Sequence, residues 1–187
     1  MRTKLDKTAD TFIRLLEKYP YPKITIKMIC DETPVNRSSF YYHFESKENL
    51  VEWICQRDFQ KYSLPYFHIH TDNISAKSFF TYLKDKSAFY SKLATVNSGQ
   101  LLQNCLAKAY SGAADTEEMV KEYGNPVHND KLQIDIQVYH RYAAAGIASV
   151  ILYWIENGMK IPIDQIATDL SIMLRNSLED VRDNYLF

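Results

Sequence analysis

Eight consecutive residues, Asn36-Arg37-Ser38-Ser39-Phe40-Tyr41-Tyr42-His43, set seven hydrogen-bonding side chains around one apolar ring. A helix that short has few core contacts to make. Phe40 takes the buried side, and the polar groups face either water or a polar ligand. Their chemistry fits a base-pair edge. Arg37 can grip guanine O6 and N7 as a bidentate donor, worth about 1–3 kcal/mol of discrimination. Asn36, Ser38 and Ser39 are short groups at the helix start, where a major-groove reader comes nearest the bases. Tyr41 offers a ring to a thymine methyl and a hydroxyl besides. Tyr42 and His43, near the helix end, are placed for phosphate oxygens, as are Thr25 and Lys47 at the starts of the flanking helices.

The elements around this stretch are those needed to hold it outward. Leu5, Ala9, Phe12, Ile13 and Leu16 fall on one face of a first helix over 3–18. The run Tyr19-Pro20-Tyr21-Pro22 ends that helix, because a residue before proline avoids the helical region. Thr25 caps a short second helix with Ile26, Ile29 and Cys30 inward, and Thr33-Pro34 closes it. After the polar helix, Ser46 caps a longer one carrying Leu50, Val51, Trp53 and Ile54. Two short helices joined by a tight turn make a helix-turn-helix. Such helices are marginal alone, so the first and fourth must clamp them.

Charge gives this reading no help. The 187-residue chain has a net charge of −1, and its first 60 residues carry ten Lys and Arg against nine Asp and Glu. Any affinity for nucleic acid must come from where individual donors sit and not from a global basic field. Hydrophobic residues at 46%, with only 5 glycines and 6 prolines, exclude global disorder and favour helices over a many-stranded sheet. The longest nearly apolar run, 143–155, is too short to span a bilayer. The first residues form an amphipathic pattern and not a signal peptide, so a cytoplasmic protein with no membrane association is expected. Cys30, Cys55 and Cys105 are scattered within apolar helical patterns and read as reduced, buried thiols. His68 and His70 lack further ligands nearby, whereas structural zinc takes four. No phosphate loop, nucleophile elbow or HExxH pattern occurs, so neither a cofactor nor an enzymatic activity is expected.

The remainder is helical in pattern. Helices are expected over 75–93, with a break near Ser87, and over 101–111, stopped by Gly112. A short one starts at Asp115 and ends by Gly124 and Pro126. A long helix over 132–157 is apolar on two sides and ends at Gly158; Pro162 opens a last one reaching Val181. Surplus apolar surface on the last two helices has two readings: an ordinary monomeric core, or a four-helix bundle built by two subunits across a two-fold axis. Phe89, Tyr90, Tyr110, Tyr139 and Trp154 likewise read either as core or as the wall of a ligand pocket.

The segment from Thr25 to Leu50 resembles the DNA-binding region of TetR/AcrR-family transcriptional regulators, above all in Phe40-Tyr41-Tyr42-His43-Phe44 followed by Ser46-Lys47-Glu48 and Leu50. The resemblance spans residues 3–55. It places Thr25, Arg37, Ser38, Ser39, Tyr41, Tyr42, His43 and Lys47 at matching DNA-contact positions. Two departures stand out. The turn reads Thr33-Pro34 where a small residue and glycine are usual, and Ser38 replaces a frequent glycine. Residues 139–159 are similar to a subgroup that includes the dihydroxyacetone-kinase operon regulator, some members of which activate transcription and answer to a protein partner. The expectation is therefore an all-α chain with a three-helix reading domain over 1–47 and a sensing and dimerisation domain over 48–187. Its partners would be double-stranded operator DNA, a second copy of itself, and a small-molecule or protein effector. It would act as a ligand-responsive repressor; an activator, or a helical interaction module answering to a protein, is the alternative.

Overall fold

Helix α1 (Lys4–Lys18) begins at Thr3, whose hydroxyl accepts from the Asp6 amide at 3.0 Å while the Asp6 carboxylate accepts from the Thr3 amide at 3.0 Å. This reciprocal box fixes the first turn. Beyond it, Ala9, Phe12, Ile13, Leu15 and Leu16 are buried along one side. A 3-10 turn (Tyr21–Lys23) follows, then α2 (Ile26–Asp31), α3 (Arg37–His43) and α4 (Lys47–Tyr62). The computed structural model describes residues 3–62, 74–114 and 136–173.

The second block contains α5 (Ile74–Asp85), α6 (Ser87–Ala94), a 3-10 turn (Val96–Gly99) and α7 (Gln100–Ala114). The expected break falls at Lys86, whose φ of −103° and ψ of 25° leave the helical region. Gly112 does not stop α7, which continues to Ala114. An interior glycine costs a helix about 1 kcal/mol relative to alanine but does not forbid it. Next come α8 (Ile136–Glu156) and α9, residues 163–173. Gly158 ends α8 as expected, at a φ of 70°. Its amide donates to the Ile155 carbonyl at 3.0 Å and the Met159 amide to the Trp154 carbonyl at 2.8 Å, the paired closure of a Schellman motif. The expected 115–126 helix, His68, His70, the Tyr139 side chain and the stretch toward Val181 lie outside the described residues.

Described residues form helices only, and none of these is long and apolar enough to cross a membrane. α1 packs on α2 and α6, α4 on α5 and α7, and α8 on α6 and α7. The core between them holds Phe59, Phe79, Phe80, Leu83, Phe89, Leu102, Ile147, Ile151 and Trp154. Trp154 is fully enclosed, its ring edge-on to Phe80 at 5.1 Å and its N–H donating to the Ile161 carbonyl at 2.9 Å. α8 is two-sided, as its sequence implies. Ala143, Ala144, Ile147, Ala148, Ile151 and Leu152 face inward, while Val138, Tyr142, Ala145, Gly146 and Tyr153 are exposed, with Ile172 and Met173 exposed on α9.

Candidate nucleic-acid interface

The polar helix α3 starts at Asn36. Its side-chain oxygen accepts from the Ser39 amide at 2.8 Å and from the Ser38 hydroxyl at 2.9 Å. That cap explains why a seven-residue helix starts where it does. It also uses the Asn36 oxygen, leaving the amide N–H groups as donors. Phe40 is fully buried and packs on Phe44, ring centroids 5.4 Å apart; Phe44 in turn meets the Trp53 ring of α4 edge-on at 6.0 Å. One aromatic contact line thus anchors α3 to α4.

Everything else on α3 points outward. Tyr42 is 84% exposed and Tyr41 55%, and Arg37, Ser38 and His43 are exposed as well, with Ser39 half-buried. Tyr41 rests edge-on against Phe40 at 5.9 Å, and Tyr42 against His43 at 4.9 Å. These ring contacts orient the two tyrosines without burying their hydroxyls.

The turn before α3 differs from a glycine-closed one. None of its residues has a positive φ; Glu32, at φ −108° and ψ 7°, ends α2, and the Thr33 hydroxyl donates to the Ile29 carbonyl at 3.0 Å. A side-chain bond satisfies the helix end that a left-handed residue usually closes, which accommodates Pro34.

The flanking donors sit at two helix starts. The Thr25 hydroxyl accepts from the Met28 amide at 3.2 Å, capping α2, and its own hydrogen remains for an acceptor. The Lys47 ammonium is partly committed inward, donating to the carbonyls of Tyr21 at 3.1 Å and Ile24 at 2.8 Å. It lies over the Tyr21 ring, 4.4 Å from the centroid. Two of its three N–H groups are used and one is left. Ser46 caps α4 by accepting from the Asn49 amide at 3.2 Å.

Several contacts that hold this head join residues far apart in the sequence. The Tyr21 hydroxyl donates to Glu48 at 2.6 Å. Burial and that carboxylate push the Tyr21 pKa far up. Burial alone would raise Glu48, yet the Tyr21 hydroxyl, its own backbone, Ser46 and Lys47 hold it below its ordinary value. In α4, the buried Asp58 carboxylate accepts from Arg57 at 2.8 and 2.9 Å, from Tyr82 at 2.8 Å and from Tyr90 at 2.8 Å. Arg57 also approaches Asp6 of α1 at 3.6 Å. From α6, the Lys92 ammonium caps the end of α1, donating to Leu16 at 2.9 Å and Glu17 at 2.7 Å.

Of the candidate pocket residues, Phe89, Tyr90, Tyr110 and Trp154 are all buried. Phe89 meets Phe12 of α1 edge-on at 6.3 Å, and Tyr110 meets Phe59 at 6.2 Å. Cys55 and Cys105 are free and buried, and Cys30 is half-buried. The Cys55 thiol is pushed well up by its hydrogen bond with Cys105 and by desolvation.

The comparisons with known proteins agree with this architecture. Residues 10–54 match the model described as bacterial regulatory proteins, tetR family, and residues 74–176, more than half of the chain, match a transcriptional regulator C-terminal region. Among curated proteins nothing matches. The fold is similar to that of the dihydroxyacetone kinase operon activator DhaS, with TM-score 0.60 and 18% identity over 94% of this chain and 96% of that one. It is also similar to the fatty acid degradation regulator FadR from Bacillus halodurans, with TM-score 0.54 and 13% identity over 93% and 95% of the two chains. A helix-turn-helix with an outward polar helix, joined to a matched regulatory C-terminal region, makes this chain a member of the TetR family of DNA-binding transcriptional regulators.

Proposed function

We propose that the chain is a cytoplasmic repressor that binds a near-palindromic operator as a homodimer and releases it when the C-terminal half takes up an effector. The observation carrying this reading is the split of α3: Phe40 fully buried, with Arg37, Ser38, Tyr41 and Tyr42 presented to solvent. In this reading Asn36, Arg37, Ser38, Ser39 and Tyr41 meet base edges, and Thr25, Tyr42, His43 and Lys47 meet phosphates. The exposed apolar face of Val138, Tyr142 and Tyr153 on α8, with Ile172 and Met173 on α9, is the surface a second copy would cover.

Selection of duplexes from a random-sequence pool by the full-length protein tests the reading. The expected product is an inverted repeat. Arg37→Ala should then lose about 1–3 kcal/mol of discrimination at one base pair per half-site and leave other positions unchanged. Absence of any sequence preference at low salt, with or without host extract, refutes it.

A second reading, an activator answering to a protein, draws on the packed state of the pocket candidates. Tyr90 and Trp154 spend their polar atoms on Asp58 and Ile161. DhaS, similar in fold, is itself described as an operon activator. Reporter transcription with and without the encoding gene separates the two signs of control.

A further inference from the structure

Tyr21 touches both charged residues at the start of α4, and by opposite ends. Its backbone carbonyl accepts from the Lys47 ammonium at 3.1 Å, and its ring lies 4.4 Å beneath that ammonium. Its phenol, at the far tip of the same side chain, donates to a Glu48 carboxylate oxygen at 2.6 Å. The ring itself is fixed, buried and edge-on to Phe12 at 6.3 Å. Consecutive residues of a helix point about 100° apart and do not face one another. Their charges nonetheless act on one another across the first turn, Lys47 being among the groups that hold Glu48 below its ordinary value.

We propose that Tyr21 is a positioning residue for DNA binding: it separates Lys47 from Glu48, so that the ammonium keeps its remaining donor for a phosphate instead of pairing with its neighbour's carboxylate. This rests on the reading of Lys47 as a phosphate contact. The carboxylate's other partners, Ser46, its own backbone N–H and the Lys47 charge, all belong to the start of α4, whereas the phenol reaches it from the Tyr21 side at 2.6 Å. The phenol is the group that draws it there. Removing the hydroxyl frees Glu48 to neutralise Lys47, and removing the charge from Glu48 as well makes the separator unnecessary.

The slope of log affinity against log salt reads this directly, since each neutralised phosphate contributes about 0.9. The probe is a fluorescein-labelled duplex enriched from a random-sequence pool by the wild-type full-length protein, titrated between about 50 and 200 mM salt. Lys47→Met should flatten the slope by about 0.9 per protomer, narrowing the affinity ratio across that range about 3.5-fold for each protomer and about 12-fold for a bound dimer. Tyr21→Phe, which keeps the ring and its packing, should flatten it in the same direction with the thermal midpoint little changed. Tyr21→Phe combined with Glu48→Gln should return to the wild-type slope. A purely structural role for Tyr21 would not produce that rescue. If Lys47→Met flattens the slope while Tyr21→Phe does not, or the double variant stays flat, the separator is refuted and the phosphate contact stands. If Lys47→Met leaves the slope unchanged, the phosphate contact falls, and the separator falls with it.

Discussion

Asp58→Ala should be among the most damaging single changes outside the apolar core. The carboxylate is buried in α4 and takes four hydrogen bonds, two from Arg57 and one each from Tyr82 and Tyr90. Truncation orphans three groups unequally. The Tyr90 hydroxyl is enclosed and has no water to turn to, a loss of about 1–3 kcal/mol by itself. Tyr82 is half-buried and recovers part of its bond from solvent. Arg57 keeps Asp6 at 3.6 Å and the face of Trp53 at 5.3 Å, so its charge is not stranded. Breaking a buried pair from one side typically costs about 3–5 kcal/mol, and the partial compensation of Arg57 favours the lower half of that range. At about 2–4 °C per kcal/mol for a chain of this size, the melting point should fall by about 6–16 °C. Urea unfolding measures the free-energy loss itself, at a fixed chain concentration so that the result stays comparable for the dimer proposed above. Adding Tyr82→Phe and Tyr90→Phe to Asp58→Ala should recover about 1–2 kcal/mol by removing the orphaned hydroxyls. Lys108→Ala, which breaks the exposed Lys108–Glu52 pair at 2.8 Å, is the control and should cost under about 1 kcal/mol. If Asp58→Ala costs no more than that control, the buried hub contributes nothing to stability and the reasoning is wrong.

Two glycines with positive φ separate backbone strain from crowding. Gly99→Ala brings a Cβ within 2.8 Å of the Leu152 side chain, whereas Gly158→Ala meets nothing nearer than Lys160 at 3.9 Å; the first should be less stable than the second by about 1–2 kcal/mol in urea. Lys92→Met removes the two donors at the end of α1 and should cost about 1 kcal/mol. Amide exchange should quicken in the last turn of α1 and not in α7; uniform exchange would count against it. Glu48 titrates below its ordinary value, so its contribution to stability is complete above about pH 4.3 and fades as pH falls through the folded-state midpoint. Carboxyl NMR should place that midpoint higher in the Tyr21→Phe, Lys47→Met double variant than in Lys47→Met alone, where no ammonium can stand in for the phenol, and equal midpoints would deny the phenol its part.

Much of the reading head was legible because it is governed by local rules. Thr25 is a cap, Phe40 is the sole apolar group on its helix, and prolines bound the first turns, all signals within a few residues, while Asn36, read as the first residue of its helix, proves to be the cap. Gly158 and the break before Ser87 are of the same kind. Gly112 misled because glycine biases a helix without ending it. The residues gripping the head were not legible, since their partners are distant in sequence: Asp58 meets Tyr82 and Tyr90, and Lys92 meets Leu16. No periodicity encodes such pairings. The inward bonds of Lys47 were hidden for a related reason, because their acceptors are backbone carbonyls, which every residue has.

The joint between α2 and α3, built from Thr33 and Pro34 without a left-handed residue, bears on how quickly the head can engage a duplex. Proline narrows the conformations open to itself and to its predecessor, so this elbow is stiff even when the chain is free. Little ordering remains to be done at the moment of contact, and less of the gross interaction energy is spent on it.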